Sequence, residues 1–314
     1  STEDNRLMAD SALSSEHIFG HVKDADYFHF PRAFPVGDDD GHLYLPQPLQ
    51  LEEPIALVKI PGMEAVNNMV EPVDLKLTKF MVLEVAVAIL AAVIFIRLAG
   101  QIANGSRPRG RWWNLLETFL LFIRNEVARP AIGHDADKFL PFLWTMFFFI
   151  LGCNLMGMVP WLGAPSGSLA VTGVLALATF LTVIGAGMAK MGPIGFWIGQ
   201  VPHMELPLAL SILLKPMIFC IEIMGLLIKH FVLAIRLLAN MFAGHIVLVV
   251  LIAFIGAVGG AVHQYYHPLF VGVSLASIFG ATALSLLELF VAFLQAYIFT
   301  FLSALFIGMA VHPH

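Results

Sequence analysis

Residues 206–255 and 269–311 are two apolar stretches, each far longer than the roughly 20 residues that carry an α-helix straight across a bilayer. Runs of that length need apolar surroundings on every side, which a soluble core does not supply. As helices they must tilt strongly, bend, or lie within the membrane. Between them, "GAVGGAVHQYYHP" at 256–268 has the glycines and the proline of a turn, so the two stretches fold back into a hairpin. Overall, 59% of the 314 residues are hydrophobic and 12% are charged. Soluble domains run about 45–50% and about 25%. The mean hydropathy is +0.83. The apolar runs are continuous, whereas barrel strands alternate over roughly 10 residues, so the chain is an all-α integral membrane protein.

The remaining spans follow from the same pattern. "FMVLEVAVAILAAVIFIRLAG" (80–100) is a first span, and Arg107, Arg109 and Arg111 follow it. The excess of basic residues in that loop places it on the inner side and the N-terminal region outside. Trp112 to Arg129 is amphipathic, with Leu115, Leu116, Phe119, Leu120 and Ile123 on one stripe. It reads as a helix lying along the inner interface, anchored by Trp112 and Trp113. Residues 139–160 and 169–189 form a helical hairpin with a short outer loop, and Lys190 marks the inner end. The expected architecture is one outer-to-inner span, the interfacial helix, this hairpin, and the long tilted hairpin of 206–311. Residues 1–78 precede it as an acidic, proline-rich extension on the outer side, and 79–311 is the membrane domain. Residues 1–75 hold fourteen acidic and four basic side chains, which does not fit an Arg-rich, acid-poor transit peptide.

Ionisable groups within lipid mark functional sites, because hydrocarbon gives them nothing. The long hairpin contains Glu222, Lys229, His230, Arg236, His245, Glu288 and Gln295. At about 100° per residue, Glu222, Lys229 and Arg236 share a face, and His245 points away from it. Glu288 and Gln295, seven apart, share a face of the last helix. If Arg236 lies level with Gln295, His245 is roughly 13 Å further outward and Glu288 roughly 10 Å. Two polar levels result. Arg236, Asn240 and Gln295 lie deep, His245 and Glu288 lie toward the outer surface, and Glu222 falls toward the inner one. A fixed positive charge with titratable groups on either side suits two ion-access paths. Lys229 and His230 read as snorkelling or lining residues.

Other signals carry less. "HQYYH" at 263–267 lacks the glutamate of a zinc-protease motif. His17, His21 and His29 fit a solvated segment better than a metal site. Cys153 and Cys220 stand alone in apolar runs and read as small buried hydrophobes. No phosphate-binding glycine loop is present, so no nucleotide, nucleic-acid or cofactor site is expected.

"LAIRLLANMFAGHIV" and "LLELFVAFLQAYIFTFLSALFIG" closely resemble subunit a of F-type ATP synthases, as do "GCNLMGMVP" and "SLAVTGVLALATF". The likeness extends over about residues 75–311. "HIFGHVKDADYFHFP" and "GHLYLPQPL" are similar to extended N-terminal regions of some bacterial members. The resemblance implies a non-catalytic, proton-translocating stator subunit beside a rotating c-ring. It implies that Arg236 faces the ring's carboxylate and separates two half-channels. Asn240 and Gln295 would be its polar neighbours, Glu222 the inner carboxylate, and His245 with Glu288 the outer pair. Many bacterial relatives carry the outer glutamate and histidine in the reverse order, and Gly157 stands where some carry aspartate. The implied partners are the c-ring, b-type peripheral-stalk subunits, other membrane-sector subunits and lipid. The implied location is a bacterial plasma membrane or mitochondrial inner membrane. The competing reading, a proton-coupled secondary transporter, would show internal repeats and broken helices, and neither is evident.

Overall fold

The computed structural model describes residues 25, 27–29, 42–47, 76–103, 110–159, 162–200, 208–261 and 268–312. At 29, 42, 103, 208–213, 245, 249, 252–261 and 269–270 it describes the backbone alone. The arginines at 107 and 109, the acidic triplet 38–40, His17, His21 and the "HQYYH" turn lie outside the described residues, as do the side chains of His29 and His245.

The long helices are α1 (Lys79–Ala103), α4 (Ala136–Gly157), α5 (Leu169–Met191), α7 (Leu208–Ala261) and α8 (Pro268–Val311). Between them lie α2 (Arg111–Phe122), α3 (Arg129–Ile132) and α6 (Pro193–Gly199). Among the described residues, five segments are long and apolar enough to cross a membrane. At 54 and 44 residues, α7 and α8 would run about 81 Å and about 66 Å if straight, against about 30 Å of hydrocarbon. Pro216, inside α7, lacks the N–H of an intrahelical bond and favours a bend there.

The amphipathic segment has more structure than its periodicity suggests. No residue of α2 is buried, and Trp112 is 78% exposed. Between α2 and α3 the chain widens into a π-helical stretch, Ile123–Ala128. The wider turn brings residues four and five apart onto one face, and Ile123, Val127 and Ala128 are all fully buried. The expected stripe packs inward over its second half. The ring of Phe119 lies 6.2 Å from Phe147 and 5.5 Å from Phe293, and Trp144 Nε1 donates to the Leu120 carbonyl at 3.1 Å.

Gly133 reverses the chain between α3 and α4 with φ of 80°, a conformation that side-chain-bearing residues rarely adopt. Polar contacts fix this corner. Arg124 donates two hydrogen bonds to Asp137, each 3.0 Å, and Asp135 accepts from Lys138 at 2.8 Å and Lys190 at 2.7 Å. The end of α8 joins the same corner. His312 Nε2 bonds the Ile132 carbonyl at 3.2 Å, and Gly308 lies directly over the Ala131 carbonyl oxygen. The basic residues Arg124, Arg129, Lys138 and Lys190 therefore gather at one end of the bundle.

The opposite end holds the start of α1 and the short loop before α5. There Lys79, 5% exposed, donates its backbone N–H to the Ala25 carbonyl, and Gly163 packs on Phe80. Beside it is an antiparallel pair that the sequence reading did not anticipate, β1 (Tyr27–His29) and β2 (His42–Tyr44). Gln47 secures it by exchanging two hydrogen bonds with the backbone of Leu77, 2.8 and 2.9 Å. The core itself lies where α4, α5, α7 and α8 meet, around Leu143, Phe147, Ile150, Phe196, Leu233, Leu237 and Phe299.

Candidate functional site: the α7–α8 hairpin

Two close approaches set the register of α7 against α8. A Cβ added at Gly280 would sit 3.1 Å from Leu251, and one added at Gly244 would sit 2.9 Å from Oε1 of Glu288. Continued along both antiparallel helices, this register brings Arg236 level with Gln295 and Ala296. Gln295 is 6% exposed, whereas Arg236 and Asn240 are half-buried on α7. Glu222 and Lys229 are exposed. The deep polar group therefore sits at a helix contact with one open side.

Arg236 makes no hydrogen bond or ion pair with any of the described residues. A guanidinium in a membrane span normally pairs with another side chain or with backbone carbonyls. The open side matters for this reason. At about 100° per residue, Val232, Ala239 and Ala243 lie within about 60° of Arg236 around the helix, and all three are exposed. So are Glu222 and Lys229, at about 40° and about 20°.

Seven residues before Gln295 on α8, the half-buried Glu288 turns its carboxylate toward the Gly244 backbone. Any larger residue at 244 would meet the carboxylate oxygen, so the small residue makes room for an acid between the two helices. Gly244 immediately precedes His245 in α7.

One polar residue at this level was missed by the sequence reading. Asn154 on α4 is fully buried and donates Nδ2–H to the Ala292 carbonyl at 3.1 Å. Ala292 is one turn from Glu288 and three residues from Gln295, so Asn154 holds α4 against the polar face of α8. Its Oδ1 is buried with no hydrogen-bond donor among the described residues. An asparagine in the apolar run "GCNLMG" was the available signal.

Lys229 and His230 part company. Lys229 is exposed with Glu222, but His230 is 3% exposed and lies between the rings of Phe180 and Phe306, centroids 5.2 and 5.0 Å away. It does not snorkel. One residue turns the helix by about 100°, which moves the side chain from the open face to the core. The cysteines divide likewise: Cys153 is buried as expected, but Cys220 is exposed. Among the described residues, no group of three His, Cys, Asp or Glu side chains could hold a metal ion.

Comparison with known proteins follows the same residues. The family model for the ATP synthase A chain matches residues 80–308. ATP synthase subunit a of Myxococcus xanthus is 43% identical over 246 residues, covering 77% of this chain and 76% of its own. ATP synthase subunit a 2 of Chlorobaculum tepidum is 40% identical over 326 residues, covering 99% of this chain and 86% of its own. ATP synthase subunit a of Chloroherpeton thalassium is 39% identical over 262 residues, covering 82% and 72%.

Proposed function

Since the chain belongs to the ATP synthase A chain family, we propose that it is the proton-translocating stator subunit of a rotary ATP synthase, a multi-pass protein of an energy-transducing membrane. Its partners are then the c-ring, b-type stalk subunits and other membrane-sector subunits. It carries protons without itself making or breaking covalent bonds in ATP. Residues 1–78 form an outer extension, 79–311 the membrane domain, and 206–311 the tilted hairpin that bears the proton path.

The observation that carries this reading is Arg236: a half-buried cation within a span, paired with no anion of the described residues and with an open helix face beside it. An anion supplied by another subunit, the c-ring carboxylate, completes the pair. The guanidinium cannot release its proton, so it acts as a fixed charge. It draws the proton off a passing carboxylate, holds that group ionised, and repels a proton crossing directly between the two half-channels. His245 and Glu288 serve the outer half-channel, Glu222 the inner one, and Asn240 and Gln295 orient groups around the arginine. The membrane potential contributes about 2.3 kcal/mol per charge per 100 mV. A leak past Arg236 would dissipate it.

The test is substitution at Arg236 in the whole complex reconstituted in vesicles. Arg236→Ala and Arg236→Lys should both abolish ATP synthesis while the subunits still co-purify. An ammonium is a compact point charge and does not reproduce the planar fork. Near wild-type synthesis by the Lys variant would refute the separator role.

A further inference from the structure

An apolar groove runs between α1 and α4, with α2 beside it. Ala88, Ala92 and Ala99 line it from α1, Leu120 from α2, and Pro141 and Phe148 from α4. It encloses about 720 Å³, within the range of small-molecule sites. From Ala88 to Ile102, which is also in its wall, the groove follows α1 for about 21 Å. One leaflet of hydrocarbon is about 15 Å thick. The polar atoms of the wall are already bonded: Trp144 Nε1 donates to the Leu120 carbonyl and Thr145 Oγ1 to the Pro141 carbonyl. An occupant is therefore apolar along the whole groove.

The groove ends at the basic corner of the bundle. The close approach of Gly152 to Val87 sets the register of α4 against α1, and continued along both antiparallel helices it brings Ile102 level with Asp137. Arg124 follows Leu120 by four residues and Asp137 precedes Pro141 by four, so their ion pair stands one helical turn beyond the groove wall. The π-helical stretch then adds a second arginine. Arg129 donates its backbone N–H to the Arg124 carbonyl five residues back, which stacks the two side chains on one face. In an α-helix residues five apart would diverge by about 140°. Arg129 makes no hydrogen bond among the described residues, yet it acts electrostatically on Asp137. Lys138, three residues before Pro141, shares that side of α4. After pairing with Asp137, Arg124 keeps three of its five N–H donors, and Lys138 keeps two of its three after bonding Asp135. With Lys190, four cations meet two aspartates here, while Glu126 lies about half a turn around the helix from Arg124.

We propose that this groove seats one acyl chain of an anionic phospholipid, whose phosphate is held by Arg124, Arg129 and Lys138. The occupant has to be apolar over the depth of a leaflet and anionic at one end, and a bilayer lipid with a net negative headgroup has both properties. A zwitterionic lipid would bring its own cation to a corner where cations already outnumber acids. The site lies on the α1 side of α4, away from the α7–α8 hairpin, and does not depend on Arg236 function.

The experiment uses the purified complex in phosphatidylcholine nanodiscs that carry a trace of one photoreactive probe. The probes are phosphatidylglycerol and phosphatidylcholine, each with a diazirine midway along one acyl chain. After photolysis, label is quantified on peptides covering 88–102 and 141–149. In wild type the phosphatidylglycerol probe should label them about fivefold more than the phosphatidylcholine probe, the preference that one basic residue near a lipid surface supplies. Millimolar inorganic phosphate should not compete. Arg129→Gln combined with Lys138→Gln should bring the ratio to about one. Both side chains are exposed and the Arg124–Asp137 pair remains, so the subunits should still co-purify. Ala92→Phe, at an exposed position in the wall, should remove labelling of these peptides by both probes. Equal labelling by the two probes in wild type would overturn the proposal without recourse to any variant. So would an unchanged ratio in the double variant, persistent labelling in Ala92→Phe, or competition by inorganic phosphate, which would assign the cations to a free anion. Absence of labelling because a partner helix fills the groove would overturn it too.

Discussion

Gly244 offers a way to move the Glu288 carboxylate without removing it. In Gly244→Ala the new methyl carbon would stand 2.9 Å from Oε1 of Glu288, and ordinary contact begins at 3.4 Å. The oxygen must therefore retreat by 3.4 − 2.9, that is 0.5 Å or more. The nearest atoms to that methyl all belong to the flexible Glu288 side chain, 2.9, 3.3 and 3.6 Å away, so the helices need not separate. Overpacking in a rigid core costs about 1–3 kcal/mol, and this case falls toward the lower end. Assembly should survive. Proton transfer is more sensitive, because donor and acceptor must meet within about 2.6–3.2 Å. Passive proton flux through the membrane sector, measured in vesicles stripped of the catalytic head, should fall by about tenfold, equivalent to about 1.4 kcal/mol in barrier. Shortening the acid should make room again. The double variant Gly244→Ala with Glu288→Asp should recover part of the flux lost by Gly244→Ala alone. Wild-type flux in Gly244→Ala, with the protein assembled, would show that the position of Glu288 against this helix does not matter to transport.

Three further outcomes are expected. Exchanging His245→Glu with Glu288→His should recover part of the flux lost in either single variant, read as a non-additive double-mutant cycle; strictly additive losses would place the two residues in separate paths. Asn154→Leu removes the side-chain hydrogen bond that ties α4 to the Ala292 carbonyl, so a loss of about 1 kcal/mol should appear as a lower unfolding temperature of the membrane sector. With Cys153 and Cys220 replaced, cysteines at Lys138 and Leu169, 76% and 53% exposed, should react with impermeant thiol reagents from opposite sides of the membrane, whereas same-side labelling would refute the topology.

The spans were legible because lipid imposes one rule along their whole length: helices with no polar interruption. Arg236, Glu288 and Gln295 were legible because each breaks that rule at helical spacing. What escaped depends on faces and on absent atoms. The helix that carries Asn154 is apolar all round, so no periodicity reveals that this residue turns toward α8. Gly244 matters through the side chain it lacks, and that becomes visible only when Glu288 arrives from another helix. His230 was grouped with Lys229 as a neighbour in sequence, yet adjacent residues on a helix face different surroundings. The π-helical stretch at Ile123–Ala128 buries Ile123, Val127 and Ala128 together, a tertiary packing that local sequence does not encode.

The open face beside Arg236 links these features. A site designed to keep its charge private would surround it with long side chains or a carboxylate from the same chain. Here the flanking exposed residues on that face include Ala239 and Ala243, both small. Small residues let a second helix backbone approach closely in lipid, where packing and polar contacts drive association. Large apolar side chains at the same depth, such as Phe231, lie on other faces and meet lipid or other surfaces. The chain thus offers the Arg236 cation where another helix can come nearest, while Gln295 and Glu288 are held behind it by the hairpin register and by Asn154. A carboxylate carried past on a moving helix would meet the guanidinium at close range and then leave it. A partner fixed permanently to this face would gain nothing from an arginine kept free within its own chain. Under the proposed function, the partner of Arg236 is a passing anion rather than a resident one.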